Sequence, residues 1–258
     1  MRRLLLAGVV GSLMVTGCSS SSGHVSSTDG KPTRTVVVFA AASLKSAFTT
    51  LAQKFESAHP GVHIVSSFGG SDTLAAQIVQ GAPVDVFASA NQTTMATVTK
   101  AGDARTPTDF AKNQLEIAVP RGNPRHVASL ADLAKPGVKL ALCATAVPCG
   151  SAAAKALQAG HVAAHPVTLE QDVTSVLTKV ELGEVDAGIV YQTDVNTAGG
   201  KVEGITFPEA SQATNTYPIA VVSTGKNPAG GSDFVQFVLS PTGQQVLTSV
   251  GFESATAP

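Results

Sequence analysis

One structural unit occurs twice near the start of this chain, and it limits the possible folds more than any other feature. Residues 35–55 read TVVVFAAASLKSAFTTLAQKF, and residues 63–81 read HIVSSFGGSDTLAAQIVQG. Each unit has a β-branched run, a small-residue turn that ends in a hydroxyl, and an apolar stripe at helical spacing. The stripe of the first unit lies on one face of a helix and comprises Leu44, Phe48, Leu51 and Phe55.

A serine stands at the start of each predicted helix. Ser43 begins the first helix, and Ser71, which follows Gly69 and Gly70, begins the second. A helix N-terminus has unpaired backbone N–H groups and the positive end of the helix dipole. Two hydroxyls at two such termini predict an anion site without a formal positive charge. The alternative is that each serine only caps its own helix, a position that serine favours.

Apolar strands alternate with helical stripes along the rest of the chain, which predicts an α/β fold with mainly parallel sheets. The predicted strands are 35–40, 62–66, 84–88, 115–119, 139–142, 187–191 and 219–223. The predicted helices are 43–58, 72–80, 92–101, 129–133, 151–159, 173–183 and 232–239.

The length of the chain allows one large domain or two lobes. Residues 120–124, PRGNP, form a breaker-rich joint after a predicted strand and predict the first crossing between lobes. Residues 217–222, YPIAVV, predict the crossing back. Lobe I would then comprise residues 34–118 and 220–258, and lobe II residues 119–219.

The chain begins with the pattern of a secretory signal peptide, which we assign to residues 1–17. Two arginines precede an apolar stretch, residues 4–15, that is too short to span a bilayer. The tetrapeptide VTGC ends at Cys18 and resembles a lipobox, which predicts a lipid anchor on Cys18. Residues 18–33 then form a tether rich in Ser, Gly and Thr. A twin-arginine export signal is the alternative.

Charge and cysteine content agree with an exported protein. Without Arg2 and Arg3 the chain has 15 Lys+Arg against 18 Asp+Glu and no basic patch, so nucleic acid is not an expected partner.

If Cys18 carries lipid, Cys143 and Cys149 are an even pair in an oxidising compartment, which predicts a disulfide. The alternative is that Cys143 is only a small buried apolar residue.

Seven segments cover the mature domain in order: VFAAASL (38–44), SSFGGSDTLAAQI (66–78), GAPVDVFASANQ (81–92), AVPCGSAAAKAL (146–157), EQDVTSVL (170–177), AGIVYQTD (187–194) and YPIAVV (217–222). Together they resemble the molybdate-binding proteins of bacterial ABC importers. The resemblance implies a two-lobed, type II periplasmic-binding-protein fold. In it each lobe is a mostly parallel sheet flanked by helices, and two crossover strands join the lobes.

The resemblance also implies a ligand set, because this family holds a tetrahedral oxyanion with two serines, two backbone amides and a tyrosine. The matching positions are Ser43, Ser71, the N–H of Cys149, the N–H of Val173, and Tyr191. Cys149 and Val173 each stand at a predicted helix start, where N–H groups are unpaired. Tyr191 ends an apolar strand, at the edge where α/β folds bind ligands. Asp72 departs from the serine run that the family often has here.

We therefore expect a lipoprotein that binds molybdate, and tungstate alongside it, and delivers it to the permease of an ABC importer. A deprotonated dianion only accepts hydrogen bonds, so a site made of donors alone suits it. We expect a monomer with no cofactor and no enzymatic activity, in which molybdenum enters only as molybdate. A receptor for sulfate or another tetrahedral oxyanion is the alternative, and an exported serine hydrolase using Ser43 or Ser71 is the third hypothesis.

Two histidine pairs have a spacing that metal sites use. His161 and His165 lack the glutamate of a metalloprotease helix, and His59 and His63 lie on either side of a Pro-Gly turn. Neither pair predicts a metal site.

Overall fold

Two five-stranded sheets organise residues 34–255, the part of the chain that the computed structural model describes. The strands are β1 (Arg34–Ala41), β2 (Val62–Gly69), β3 (Val86–Ala88), β4 (Thr108–Asn113), β5 (Leu115–Pro120), β6 (Leu140–Cys143), β7 (Thr168–Glu170), β8 (Ala187–Tyr191), β9 (Val202–Ile205) and β10 (Asn215–Val221). The predicted signal peptide, Cys18 and the tether lie outside the described residues.

Helices cover the faces of both sheets. The α-helices are α1 (Lys45–Ala58), α2 (Ser71–Val79), α3 (Gln92–Lys100), α4 (Pro148–Ala159), α5 (Val173–Glu181), α6 (Gln192–Thr197), α7 (Pro228–Leu239) and α8 (Pro241–Ser249). Short 3₁₀ helices occupy Ala42–Leu44, Leu130–Ala134 and Pro208–Ala213. None of the helices in this part of the chain is long and apolar enough to cross a bilayer.

The two sheets are mixed rather than mostly parallel. The first has the strand order β2-β1-β3-β10-β4 and the second β7-β6-β8-β5-β9. Within the described residues each sheet has two parallel and two antiparallel pairings, and every antiparallel pairing involves β10 or β5. These are the strands that follow the two crossings between the sheets. Each of these two strands runs antiparallel to both of its neighbours in the new sheet. The alternation of strands and helices in the sequence did not indicate this reversal.

Strand pairing places both crossings a few residues before the predicted positions. The chain leaves the first sheet after β4 and enters the second at β5, so Gln114 is the crossing point. It returns between β9 and β10. The predicted boundaries at 118/119 and 219/220 therefore fall inside strands. The breaker-rich run 120–124 ends β5 instead, with Gly122 and Asn123 at positive φ.

Below, lobe I means the first sheet with α1–α3, α7 and α8, and lobe II means the second sheet with α4–α6. Each lobe has its own apolar core, one around β1 and α1 and one around β5 and β8. The predicted stripe of α1 is buried in the first core, where Phe55 packs edge-on against Phe234 with ring centroids 5.3 Å apart. These cores hold the strand ends and helix starts that form the candidate site.

Candidate functional site

A small cavity lies between the lobes, and four of the five predicted ligand residues line it. These four are Ser71, Cys149, Val173 and Tyr191. The remaining wall is formed by Ala41, Ala42, Gly69, Gly70, Ala90, Val147, Pro148 and Asp172. The cavity measures about 10 Å³, which is about the room that the centre of one water molecule requires. The lobes are therefore closed tightly around it.

Four helix N-termini meet at this cavity, two from each lobe. The 3₁₀ helix that leads into α1, together with α2 and α4, begins without a side-chain cap, so their first N–H groups have no side-chain acceptor. Asp172 caps α5 by accepting a 2.9 Å bond from the N–H of Ser175. Of the described residues that line the cavity, none is Lys, Arg or His. Within the lining, positive potential comes from the helix ends.

Ser71 contributes a hydroxyl that is nearly free of solvent, with 1% exposure. Its Oγ accepts a 3.1 Å bond from the N–H of Ala90, which leaves the hydroxyl proton available to another acceptor. Ser71 is the first residue of α2, whose N-cap is Gly70, and it makes no capping bond. The interpretation of Ser71 as a mere cap is therefore wrong.

Ser43 is not among the residues that line the cavity, although Ala41 and Ala42 beside it are. Its Oγ lies 2.9 Å from the hydroxyl of Tyr217, and the side chain is buried. The 3₁₀ helix that contains Ser43 has Ala41 as its N-cap and no side-chain cap bond, so Ser43 is not a cap either.

Tyr191 ends β8 and is buried at the cavity wall. Its hydroxyl accepts a 2.7 Å bond from Nδ2 of Asn215, and its N–H donates a 2.9 Å bond to Oδ2 of Asp194. Burial, and then the neighbouring Tyr217 and Asp194, raise the pKa of Tyr191 well above its usual range. The phenol therefore keeps its proton at neutral pH and can donate it.

A set of buried polar residues behind the cavity is missing from the sequence prediction. Asn113 joins the lobes by donating a 2.8 Å bond to Oγ1 of Thr193. Asn215 and Tyr217 contact Tyr191 and Ser43, while burial raises the pKa of Asp194 to about 7. The one available signal was the alternation of Asn215, Tyr217 and Ile219 along β10, which places them on one face.

A disulfide joins Cys143, at the end of β6, to Cys149 in the first turn of α4, with Cα atoms 5.8 Å apart. Both cysteines are buried. The adjacent Gly150 approaches the same loop so closely that a Cβ there would overlap the backbone oxygen of Ala144. The start of α4, which carries the N–H of Cys149, is thus held from two sides.

The sequence profile of the family described as bacterial extracellular solute-binding protein matches residues 36–253. The chain belongs to this family. It is 42% identical over 255 residues to the molybdate-binding protein ModA of Mycobacterium tuberculosis, which covers 96% of this chain and 97% of that protein.

Solved structures agree on the fold of this solute-binding protein. The periplasmic molybdate-binding protein of Azotobacter vinelandii matches with a TM-score of 0.73 and 21% identity, covering 86% of this chain and all of that one. The sulfate-binding protein SubI of Mycobacterium tuberculosis matches with a TM-score of 0.75 and 20% identity, covering 86% and 87%. Proteins named for two different anions thus share the fold, so the fold alone does not select the anion.

The histidines of one pair, His59 and His63, have other contacts in this solute-binding protein. His63 lies 2.9 Å from Glu56, and Nδ1 of His59 lies 2.9 Å from the backbone oxygen of Phe55. Within residues 34–255, no group of three or more His, Cys, Asp or Glu side chains is arranged to hold a metal ion.

Proposed function

We propose that this protein binds molybdate, and tungstate alongside it, outside the cytoplasmic membrane and delivers it to the permease of an ABC importer. The observation that carries the proposal is the cavity at which four helix N-termini meet without a Lys, Arg or His in its lining. The 42% identity to a protein named for molybdate binding supports the choice of anion.

The proposed ligands are hydrogen-bond donors, which suits a dianion that carries no proton. Ser71 and Tyr191 would donate through their hydroxyls, and Cys149 and Val173 through their backbone N–H groups. Ser43, beside the cavity wall, would supply the fifth donor. Hydrogen bonds to a charged group are worth about 1.5–3 kcal/mol each. A phosphate that keeps a proton at neutral pH would also need an acceptor, which this ligand set lacks.

The family placement supports an extracytoplasmic location, and we propose that residues 1–17 are removed and that Cys18 carries the lipid anchor. We further propose that the protein acts as a monomer that binds and releases its anion unchanged and is not an enzyme. The disulfide between Cys143 and Cys149 would form after export, where the compartment is oxidising.

Isothermal titration calorimetry with molybdate, tungstate, sulfate and phosphate tests the proposed function. The protein for this experiment lacks residues 1–17 and carries Cys18→Ser, so that it stays unlipidated. We expect molybdate and tungstate to bind with similar affinity, and at least about a hundredfold more tightly than sulfate, a difference of roughly 2.7 kcal/mol. A sulfate affinity equal to that for molybdate would contradict the proposal and favour the sulfate receptor.

A further inference from the structure

We propose that Tyr217 and Asn215 are positioning residues that orient one anion-binding hydroxyl in each lobe. Tyr217 orients Ser43 of lobe I, and Asn215 orients Tyr191 of lobe II. The inference rests on the proposed function, because it concerns how that site presents its donors to the anion.

Both positioning residues lie on β10, directly after the return crossing. They are two residues apart on one face of the strand and are buried, with 7% exposure for Asn215 and none for Tyr217. Asn215 reaches lobe II, where Nδ2 also lies 3.4 Å from the backbone oxygen of Pro148. Tyr217 packs edge-on against the ring of Tyr191, with centroids 6.0 Å apart. One strand therefore touches a hydroxyl ligand in each lobe, Ser43 and Tyr191.

The direction of these hydrogen bonds determines which hydroxyl protons remain free to bind the anion. An amide nitrogen can only donate, so Tyr191 must accept from Asn215 and keeps its own proton for a second acceptor. Tyr217 accepts from Nδ2 of Asn113 at 3.4 Å, and its hydroxyl lies 2.9 Å from that of Ser43, a contact in which we assign Tyr217 as the donor. Ser43 then accepts from Tyr217 and has its own proton free.

Two short relays follow from this arrangement. One runs from Asn215 to Tyr191, and the other runs from Asn113 through Tyr217 to Ser43. Each starts at an amide that only donates at the contact and ends at a hydroxyl whose proton is available to the anion. A hydroxyl that is already fixed as a donor loses less freedom on binding, which strengthens binding. Removing a relay member leaves the hydroxyl in place but lets its proton turn elsewhere.

Double-mutant cycles measured by calorimetry test this inference. Tyr217→Phe keeps the ring and its aromatic contacts, and removes only the hydroxyl. We expect it to weaken molybdate binding about three- to tenfold, the range of one ordinary hydrogen bond. In a Ser43→Ala background the same change should weaken binding less than twofold, because its target is gone. In a Ser71→Ala background, which serves as the matched control, the full three- to tenfold effect should persist.

Asn215→Ala forms the second cycle. Its effect on affinity should disappear in a Tyr191→Phe background and persist in the Ser71→Ala background. Thermal unfolding of each anion-free variant identifies changes that merely destabilise the fold. A role in packing alone would weaken binding equally in every background, and that result would overturn the inference. Wild-type affinity in both Tyr217→Phe and Asn215→Ala would overturn it as well.

The titration of the wild-type protein with molybdate, tungstate, sulfate and phosphate distinguishes a failure of this inference from a failure of the proposed function. If the wild-type protein prefers sulfate, the proposed function fails, and the same cycles are measured with sulfate, where the predicted couplings should still appear. If the wild-type protein binds none of molybdate, tungstate, sulfate and phosphate, both proposals are overturned. Molybdate binding without the couplings overturns the inference alone.

Discussion

At the scale of single residues, the serine hydroxyls give the most direct prediction. Ser43→Ala and Ser71→Ala should each weaken molybdate binding by about ten- to a hundredfold, because each removes a hydrogen bond to a charged group. Calorimetry measures the loss, and Ser46→Ala, an exposed serine one turn along, is the matched control. Val173→Ala should have a much smaller effect because the proposed ligand there is the backbone N–H. Normal binding by both serine variants would place the anion elsewhere.

Asp194 gives a prediction about pH. Burial, and then the charge of Asp172, raise its pKa to about 7, while the N–H of Tyr191 opposes the shift. The folded protein therefore binds this proton more strongly than the unfolded chain, and stability should fall as pH rises from about 4 through 7. Above pH 7 the carboxylate adds a negative charge behind Tyr191, so molybdate affinity should fall between pH 6 and 8.

Titrations across that pH range with wild type and Asp194→Asn test the effect. The variant should lose most of the pH dependence, whereas Asp233→Asn, an exposed aspartate on α7, should keep it. An unchanged profile in Asp194→Asn would assign the pH dependence to another group.

Sequence patterns located ligand candidates that stand at the ends of elements. Ser71, Cys149 and Val173 lie where a helix begins, and Tyr191 lies where a strand ends. The repeated unit alone pointed to Ser71, whereas Cys149, Val173 and Tyr191 came from the family resemblance, with which their local patterns agree. The partners of these hydroxyls were not predictable in the same way. Ser43 and Tyr217 are separated by 174 residues, and their contact exists only once β10 has returned to the first sheet.

At the scale of elements, prediction succeeded where an apolar run or stripe is long. The strands that form the centres of the sheets and the helices α1 to α5 were predicted near their observed positions. The prediction missed four elements of three to six residues, because segments this short show little periodicity. They are β4, β7, β9 and α6. The prediction also missed α8, which starts at Pro241 directly after α7 ends. Neither the mixed sheets nor the crossing at Gln114 has a local signal.

The N-terminus of α4 gives the element-scale prediction. The disulfide closes a short loop, so it should contribute only about 2 kcal/mol to the free energy of unfolding on the chain-entropy estimate. It also fixes the N–H of Cys149 at the cavity. Reduction should therefore lower the favourable free energy of molybdate binding by more than it lowers the free energy of unfolding.

Calorimetry under oxidising and reducing conditions, beside thermal unfolding, compares the two effects of the disulfide. The variant Cys143→Ser with Cys149→Ser keeps the backbone N–H and should bind like the reduced protein under both conditions. Two free thiols in unreduced peptides, detected by mass spectrometry, would remove the basis of the prediction. Equal affinity of the oxidised and reduced protein would restrict the disulfide to a stabilising role.

At the scale of the whole molecule, the lobes meet at Gly70. A Cβ at this residue of lobe I would overlap the backbone oxygen of Gln171 in lobe II. At the neighbouring Gly69 a Cβ would meet only the Leu74 side chain, at 3.9 Å. Closure over the cavity therefore requires a residue without a side chain at position 70. Within lobe I, a Cβ at Gly70 would also lie 2.8 Å from Oδ1 of Asp72, which is the end of a side chain, so the overlap with Gln171 is the main difference between the two substitutions.

Closure itself is the last prediction. If the lobes close on molybdate, small-angle X-ray scattering should show a smaller radius of gyration when the anion is added. Gly69→Ala should reproduce this contraction and keep its affinity within about twofold. Gly70→Ala should contract less and bind at least about tenfold more weakly, since overlap with Gln171 opposes the closed state but not the fold of either lobe. Identical scattering of the wild-type protein with and without molybdate would instead indicate a rigid site.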